Sequence, residues 1–385
     1  MDTFGNKLMK KIFEFKEGES ELLYGNYAID DIYEACTACY DNKKKNIKFH
    51  QKIEYISKRI KAGHDSVTEH GFVSMIIKNI RMNSDTLIHN LTEIYNANHY
   101  LYIFTSTMED DSMNIMIGGS IRGYRDLIQN ITNYDNFIFR HIMSILQNAT
   151  TREFFIDILE KRDMGDFDFF INVPDIFTFG DVDDEVRCHC YESCSHDICV
   201  EPFNLITLNE DIEVIDHPGF YEITHTIDKA YKYGFVQDEV EKIIPINVLF
   251  RNMSRTCTHQ LVRHRNAITQ ESQRYVNYSN AGFTVPECDK EKFEISLFGI
   301  KKKIDLAELG KELCTVYNQL VDQGLKKEDA RAYLPSNVQC KRIYMTFTLY
   351  TLRKFFDLRT DPHAQWEIRN YAEKLRVLLE EYYEK

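Results

Sequence analysis

The chain has 385 residues, 28% of them charged and 43% hydrophobic, a globular balance that argues against a disordered, collagen-like or membrane-spanning protein. No run approaches eighteen apolar residues, and residues 1–16 alternate Lys with Phe, Ile and Leu rather than forming a signal-peptide core. A net charge of −13 disfavours a general binder of nucleic-acid polymers, and ten cysteines without a secretory leader predict reduced thiols in a cytoplasmic setting.

In chain order, Ile53, Ile56 and Ile60 predict a helix that stops at Gly63. The middle, 78–244, is acidic, with 12 Lys/Arg against 30 Asp/Glu. It mixes aromatic runs such as Phe167–Phe170 with turn residues, which predicts a mixed α and β segment. Ile246–Phe250 reads as a strand leading into a helix. Leu306, Leu309, Leu313, Val316 and Leu320 step by three and four, an amphipathic helix ending near Gly324. A further helix is predicted over Asn337–Phe356. The last is predicted to start at Asp361-Pro362, an N-cap residue followed by Pro at the first helical position, with the single Trp366 packed in the core. No repeat of fixed period and no low-complexity linker is visible.

Arg251, Arg255, Arg263, Arg265 and Arg274 stand against one acid, Glu271, between positions 251 and 274. In an acidic chain this is a local inversion of sign. Guanidinium groups offer planar, paired donors suited to phosphate, and Gln270, Ser272 and Gln273 add neutral hydrogen bonds for a polar heterocycle. The plainer reading is a solvated basic face paired with the acidic middle. Neither GxGxxG nor GxxxxGK[ST] occurs, so a nucleotide would be held by side chains and helix ends rather than by a glycine-rich turn.

Arg263-His264-Arg265 followed by Ser272-Gln273-Arg274-Tyr275 resembles the signature of the flavin-dependent thymidylate synthases, the ThyX family. Three further segments are similar to motifs of that family, in the same order: Gly63-His64-Asp65-Ser66-Val67-Thr68-Glu69-His70, Ala330–Pro335, and Leu358–Ile368. There are departures. Six residues separate Arg265 from Ser272 where the family has seven, and Thr348, Tyr350 and Lys354 stand at the usual Asn-x-Arg helix. A segment similar to that helix, Gly119–Leu127, lies instead in the middle of the chain.

The resemblance implies an α/β (α+β) fold of the ThyX type, with residues 1–77 and 245–385 forming the family domain and 78–244 a central mixed α/β insertion. It implies conversion of dUMP to dTMP with FAD, using NADPH and methylenetetrahydrofolate as co-substrates, at sites between the subunits of a homotetramer. Arg263, Arg274 and Arg331 would hold the phosphate and sugar of dUMP. Gln260, Leu261 and Val262 would line the same pocket, partly through backbone groups, and Gln270, Glu271, Ser272 and Gln273 would contact the nucleotide. Arg359 would face and activate the uracil ring, while His64, Ser66, Arg263, His264, Arg265 and Gln270 would contact FAD. Two alternatives stand beside this: a related enzyme or degenerate paralogue moving another one-carbon group, and a non-catalytic nucleic-acid or protein-binding module.

Cys188, Cys190, Cys194 and Cys199, with His189 and His196, crowd together at a spacing atypical of zinc sites, which favours free thiols over a bound metal. Cys36-x-x-Cys39 reads as helix packing rather than redox chemistry.

Overall fold

A computed structural model describes residues 19–24, 28–40, 47–150, 152–162, 204–209, 212–216, 219–279, 281–286, 292–297 and 299–383. The run Phe167–Phe170 and the cysteine cluster at 188–199 lie outside the described residues.

The first sheet is antiparallel and holds Glu19–Tyr24 (β1), Phe72–Ile80 (β2), Tyr102–Thr107 (β3) and Met113–Ser120 (β4) in the order β1-β2-β4-β3. Helices Ala28–Tyr40, Phe49–Lys61, Ser84–Ala97, Ile121–Asn130 and Phe137–Ala149 share its core. Ile53, Ile56 and Ile60 are the buried stripe of Phe49–Lys61, and Gly63 terminates it at φ 84°, a conformation that costs glycine little.

The second sheet draws on Asn204–Asn209 (β5), Ile212–Asp216 (β6) and Pro245–Phe250 (β7). A two-residue strand Met253–Ser254 (β8) follows, then Ala267–Gln270 (β9), the exposed hairpin Phe293–Leu297 (β10) and Ile300–Ile304 (β11), the short Gln339–Cys340 (β12), and Ile343–Thr348 (β13). Its five strands run β5-β6-β7-β13-β9, all antiparallel, while β8 pairs β12 and β10 pairs β11 separately. Both β7 and β13 are buried at every residue, which requires the near-continuous apolar runs Pro245–Phe250 and Ile343–Phe347. Each fully buried Val, Ile or Phe there contributes about 1.5–3 kcal/mol.

Three expectations are corrected. Asn337–Phe356 is not one helix, because Ile343–Thr348 is the central strand wedged between β7 and β9, and the helix begins only at Leu349. The β-branched and aromatic run gains more by filling a two-sided sheet than by turning helical. The last helix starts at Trp366, not at Asp361: the Asp361 carboxylate is turned to the His363 N–H, and Gln365 Oε1 accepts from the N–H groups of Glu367 and Ile368. Trp366 remains 37% exposed rather than filling the core.

The strand Phe72–Ile80 runs through the boundary expected at 77/78, and residues 84–159 complete the core that residues 28–77 begin. Strand β6 pairs with β7 across the boundary expected at 244/245, so it belongs with the second sheet. A repeat is also present. The order β1-β2-β4-β3 recurs as β6-β7-β13-β9, and Phe72 pairs with Ser120 as Pro245 pairs with Thr348. In each half the central strand's partner ends in a hydroxyl N-cap, Ser120 or Thr348, that starts a helix.

Candidate active site

The helix Arg255–Leu261 is started by Ser254, whose Oγ accepts the Cys257 N–H at 3.1 Å. Buried Glu367 holds that start in place: its carboxylate accepts the Ser254 N–H at 2.7 Å and the Ser254 O–H at 2.5 Å. After Leu261 a single 3-10 turn, Val262–His264, carries the arginine-histidine pair. Arg265 then adopts φ 54° and ψ 31°, a left-handed turn uncommon for a residue with a side chain. The reversal leaves Arg263 and Arg265 exposed and directs the chain into β9.

His264 is half-buried with its ring edge-on to Phe355, the ring centroids 5.0 Å apart. Arg359, the last residue of helix Leu349–Arg359, donates its Nε–H to His264 Nε2 at 2.8 Å. Burial, reinforced by the Arg359 charge, lowers the His264 pKa to about 4. The ring is therefore neutral at pH 7, with Nε2 as acceptor and the proton on Nδ1. Glu367–Ser254 and Arg359–His264 together tie the last motif to the arginine window.

The turn Asp65–Glu69 packs beside β9, which brings exposed His64 and Ser66 to the same neighbourhood as Gln270. His70 closes this junction from within. Thr346 Oγ1 gives its proton to Asn247 Oδ1 and so accepts from His70 Nδ1–H at 3.0 Å, while His70 Nε2 accepts from Thr269 at 2.9 Å. Burial lowers the His70 pKa to about 3. Gln270 Oε1 and Asn266 Nδ2 are buried with no partner among the described residues.

Four of the expected dUMP residues, Ser272, Gln273, Arg274 and Arg331, fall in a second group. Arg274 reaches Glu328 at 3.4 Å, and Arg331 Nε donates to the Glu328 carbonyl at 3.0 Å. Gln273, Glu328, Asp329, Arg331 and Tyr333 line an open depression of about 510 Å³. Ser272 Oγ accepts the Arg274 N–H, and the Ser272 N–H donates to the Cys39 carbonyl, fixing the loop to helix Ala28–Tyr40. Among the described residues no hydrogen bond or ion pair joins this group to Arg359 and His264.

Several expected contacts have internal tasks instead. Glu271 is 1% exposed, and its carboxylate accepts the Lys341 N–H at 2.8 Å. Arg255, counted in the basic window, spends its guanidinium on the Glu271 carbonyl and the Tyr278 hydroxyl. The Leu261 side chain is wholly inside the second core, so only its backbone can face a ligand. Gln260 is half-buried and Val262 is exposed, both beside the 3-10 turn. Glu367 and His70 lie inside the motif segments Leu358–Ile368 and Gly63–His70, and their roles follow from burial, which no sequence signal displays.

Burial raises the Cys36 thiol to about 12 and those of Cys314 and Cys340 to about 11, so these sulfurs stay protonated. Among the described residues no helix is long and apolar enough to cross a membrane and no group of His, Cys, Asp and Glu could hold a metal ion.

A family model described as thymidylate synthase complementing protein matches residues 222–383. The chain is similar to the flavin-dependent thymidylate synthase of Pyrococcus furiosus, 41% identical over 147 residues that cover 37% of this chain and 57% of that protein. It is similar to that of Pyrococcus abyssi at 44% identity over 150 residues, again 37% of this chain and 57% of the relative. The similarity to the protein of Geobacter sulfurreducens, 33% identical, covers 47% of this chain and 73% of the relative. The chain thus spans little more than half the length of the Pyrococcus proteins and nearly three quarters of the Geobacter one. With its motifs tied together as described, the chain belongs to the flavin-dependent thymidylate synthase family.

Proposed function

We propose that the protein converts dUMP to dTMP by reductive methylation, with FAD as cofactor and NADPH and methylenetetrahydrofolate as co-substrates. The observation that carries this reading is the Arg359–His264 hydrogen bond, which joins motifs 95 residues apart. Because Nε is held by His264, both Nη nitrogens of Arg359 are left for a planar acceptor edge. A cation fixed against the N3 and O2 edge of uracil favours the ring anion and raises electron density at C5. The Arg274–Arg331 group offers two guanidinium groups beside an open depression for the nucleotide phosphate and sugar. Ser272 has no general base among its bonded partners and serves as a binding group.

The residues around His64 and Gln270 fit a flavin. The orphaned Gln270 Oε1 and Asn266 Nδ2 supply an acceptor and a donor for a heteroaromatic edge, and Arg263 and Arg265 supply cations for its phosphates. His64, Ser66, Arg263, His264, Arg265 and Gln270 would hold it. The bound flavin would supply hydride transfer, and the folate the one-carbon unit. The chain would position both. The family resemblance supports a homo-oligomer, a tetramer in the family, as the working form.

An absorbance scan of the purified protein should show a flavin spectrum, and mass spectrometry of the product from dUMP, NADPH and methylenetetrahydrofolate should show dTMP. A colourless protein with strongly salt-dependent oligonucleotide binding would refute this function.

A further inference from the structure

The two halves of the chain share one strand register. The Phe72–Ser120 and Pro245–Thr348 pairings set position 72 against 245 and 120 against 348. By the same offset Asn79 coincides with Asn252, and both are non-glycine residues at φ 57°. The Ile121 N–H donates to the Gly71 carbonyl as the Leu349 N–H donates to the Ile244 carbonyl. Arg125 and Arg353 fall at the same helix position, and each is paired with acids, Asp157 in one half and Asp238 and Glu241 in the other. A coincidence of register, cap and positive-φ turn identifies one fold unit used twice.

The units also face each other as two copies about a two-fold axis would. Ser74 Oγ donates to the Ile243 carbonyl, and the matching pair, Asn247 and His70, is joined through Thr346. Residue i meeting j while j′ meets i′ is the mark of an isologous contact. Ile76 and Met116 of the first unit lie in the core of the second.

The first unit keeps His64, Ser66 and a histidine at the place of His264 but lacks the arginines and the nucleotide loop of the second. Tyr102 pairs with Gly118 as Ala267 pairs with Thr346, so Asn98-His99-Tyr100 occupies the place of Arg263-His264-Arg265. Both arginines are absent and the histidine stays. The connection from β3 to β4 is a short turn at 108–112, whereas 271–342 between β9 and β13 carries Ser272, Arg274 and Arg331. Ile131 stands where the second unit has Arg359.

We propose that the chain is a fused pair of one fold unit in which the first, stripped of its nucleotide loop and arginines, serves as a built-in partner, so that each chain carries one nucleotide site and not two. This rests on the proposed dUMP reading for the identity of the probe. Equilibrium dialysis of the full chain with dUMP in the presence of FAD should give one dUMP per chain. A second arm needs no ligand: a Cβ at Gly118 would lie 2.5 Å from Ile243 Cγ2, so Gly118→Val disturbs the contact between units from the first-unit side. Hydrogen exchange in β7 and β13 should then accelerate about ten-fold, and Ser74→Ala gives a milder version should Gly118→Val not fold. Two dUMP per chain overturns the inference while keeping the proposed function. Unchanged exchange in β7 and β13 overturns the partner role. If no dUMP binds, the proposed function fails and the exchange arm alone decides whether the first unit acts as a partner.

Discussion

Arg359 and His264 meet at 2.8 Å, with the guanidinium Nε–H donating to a ring nitrogen that must stay unprotonated. The bond therefore doubles as a constraint on charge. With the His264 pKa lowered to about 4, the acceptor is available at neutral pH and is lost only as the medium becomes acidic. NMR titration of the ring should place its midpoint below 5. A midpoint at or above the ordinary histidine value of about 6.5 would show that the bond does not exist in solution.

Arg359→Ala should abolish dTMP formation while leaving flavin bound, with a loss of about 10²–10³ or more in turnover, the scale for removing one preorganised charge-stabilising donor. Flavin absorbance and product assay on the same sample check this. Near-normal turnover would remove Arg359 from its assigned role.

Glu271→Ala should destabilise the fold by about 1–3 kcal/mol, because the Lys341 N–H loses the charged acceptor that buried Glu271 supplies. Urea unfolding would measure it. Glu271→Gln, which keeps a carbonyl oxygen, should cost less; equal costs would mean that the hydrogen bond is not what matters.

Three histidines make the fold acid-sensitive in the same direction. His70 is lowered to about 3, and His141 and His264 to about 4, all with burial as the largest cause. The unfolded chain takes up protons first, near 6.5, so stability is complete above that pH and falls as pH drops toward 3. Thermal melts between pH 7 and 4 should decline in wild type, and His70→Asn should flatten part of the slope. An unchanged slope in that variant would contradict the buried, neutral state of His70.

Cys36 and Cys39 should react slowly with alkylating reagents at pH 8, since burial holds both thiols above their ordinary range. Rapid labelling of the folded protein would indicate that helix Ala28–Tyr40 opens.

What the sequence determined by itself was local chemistry and local periodicity. The stripe Ile53-Ile56-Ile60 and the stop at Gly63 depend on neighbours three or four residues away, and the structure has them as read; the helix Leu306–Asp322 also forms, but it buries Gly310, Cys314 and Tyr317 and leaves Val316 of the expected stripe exposed. The arginine window and its companion motifs were likewise visible, because charge and hydrogen-bonding capacity belong to residue types. Only the tertiary structure decided which of those groups stay available: Arg255 and Glu271 bond inward, and Leu261 packs in the core. Ile343–Thr348 became a strand because β7 and β9 flank it, a fact absent from its own pattern. The doubling of the fold unit escaped the sequence for a related reason. Sheet register constrains burial rather than identity, and a short turn in one half answers to a long loop in the other, so matching residues keep no constant spacing.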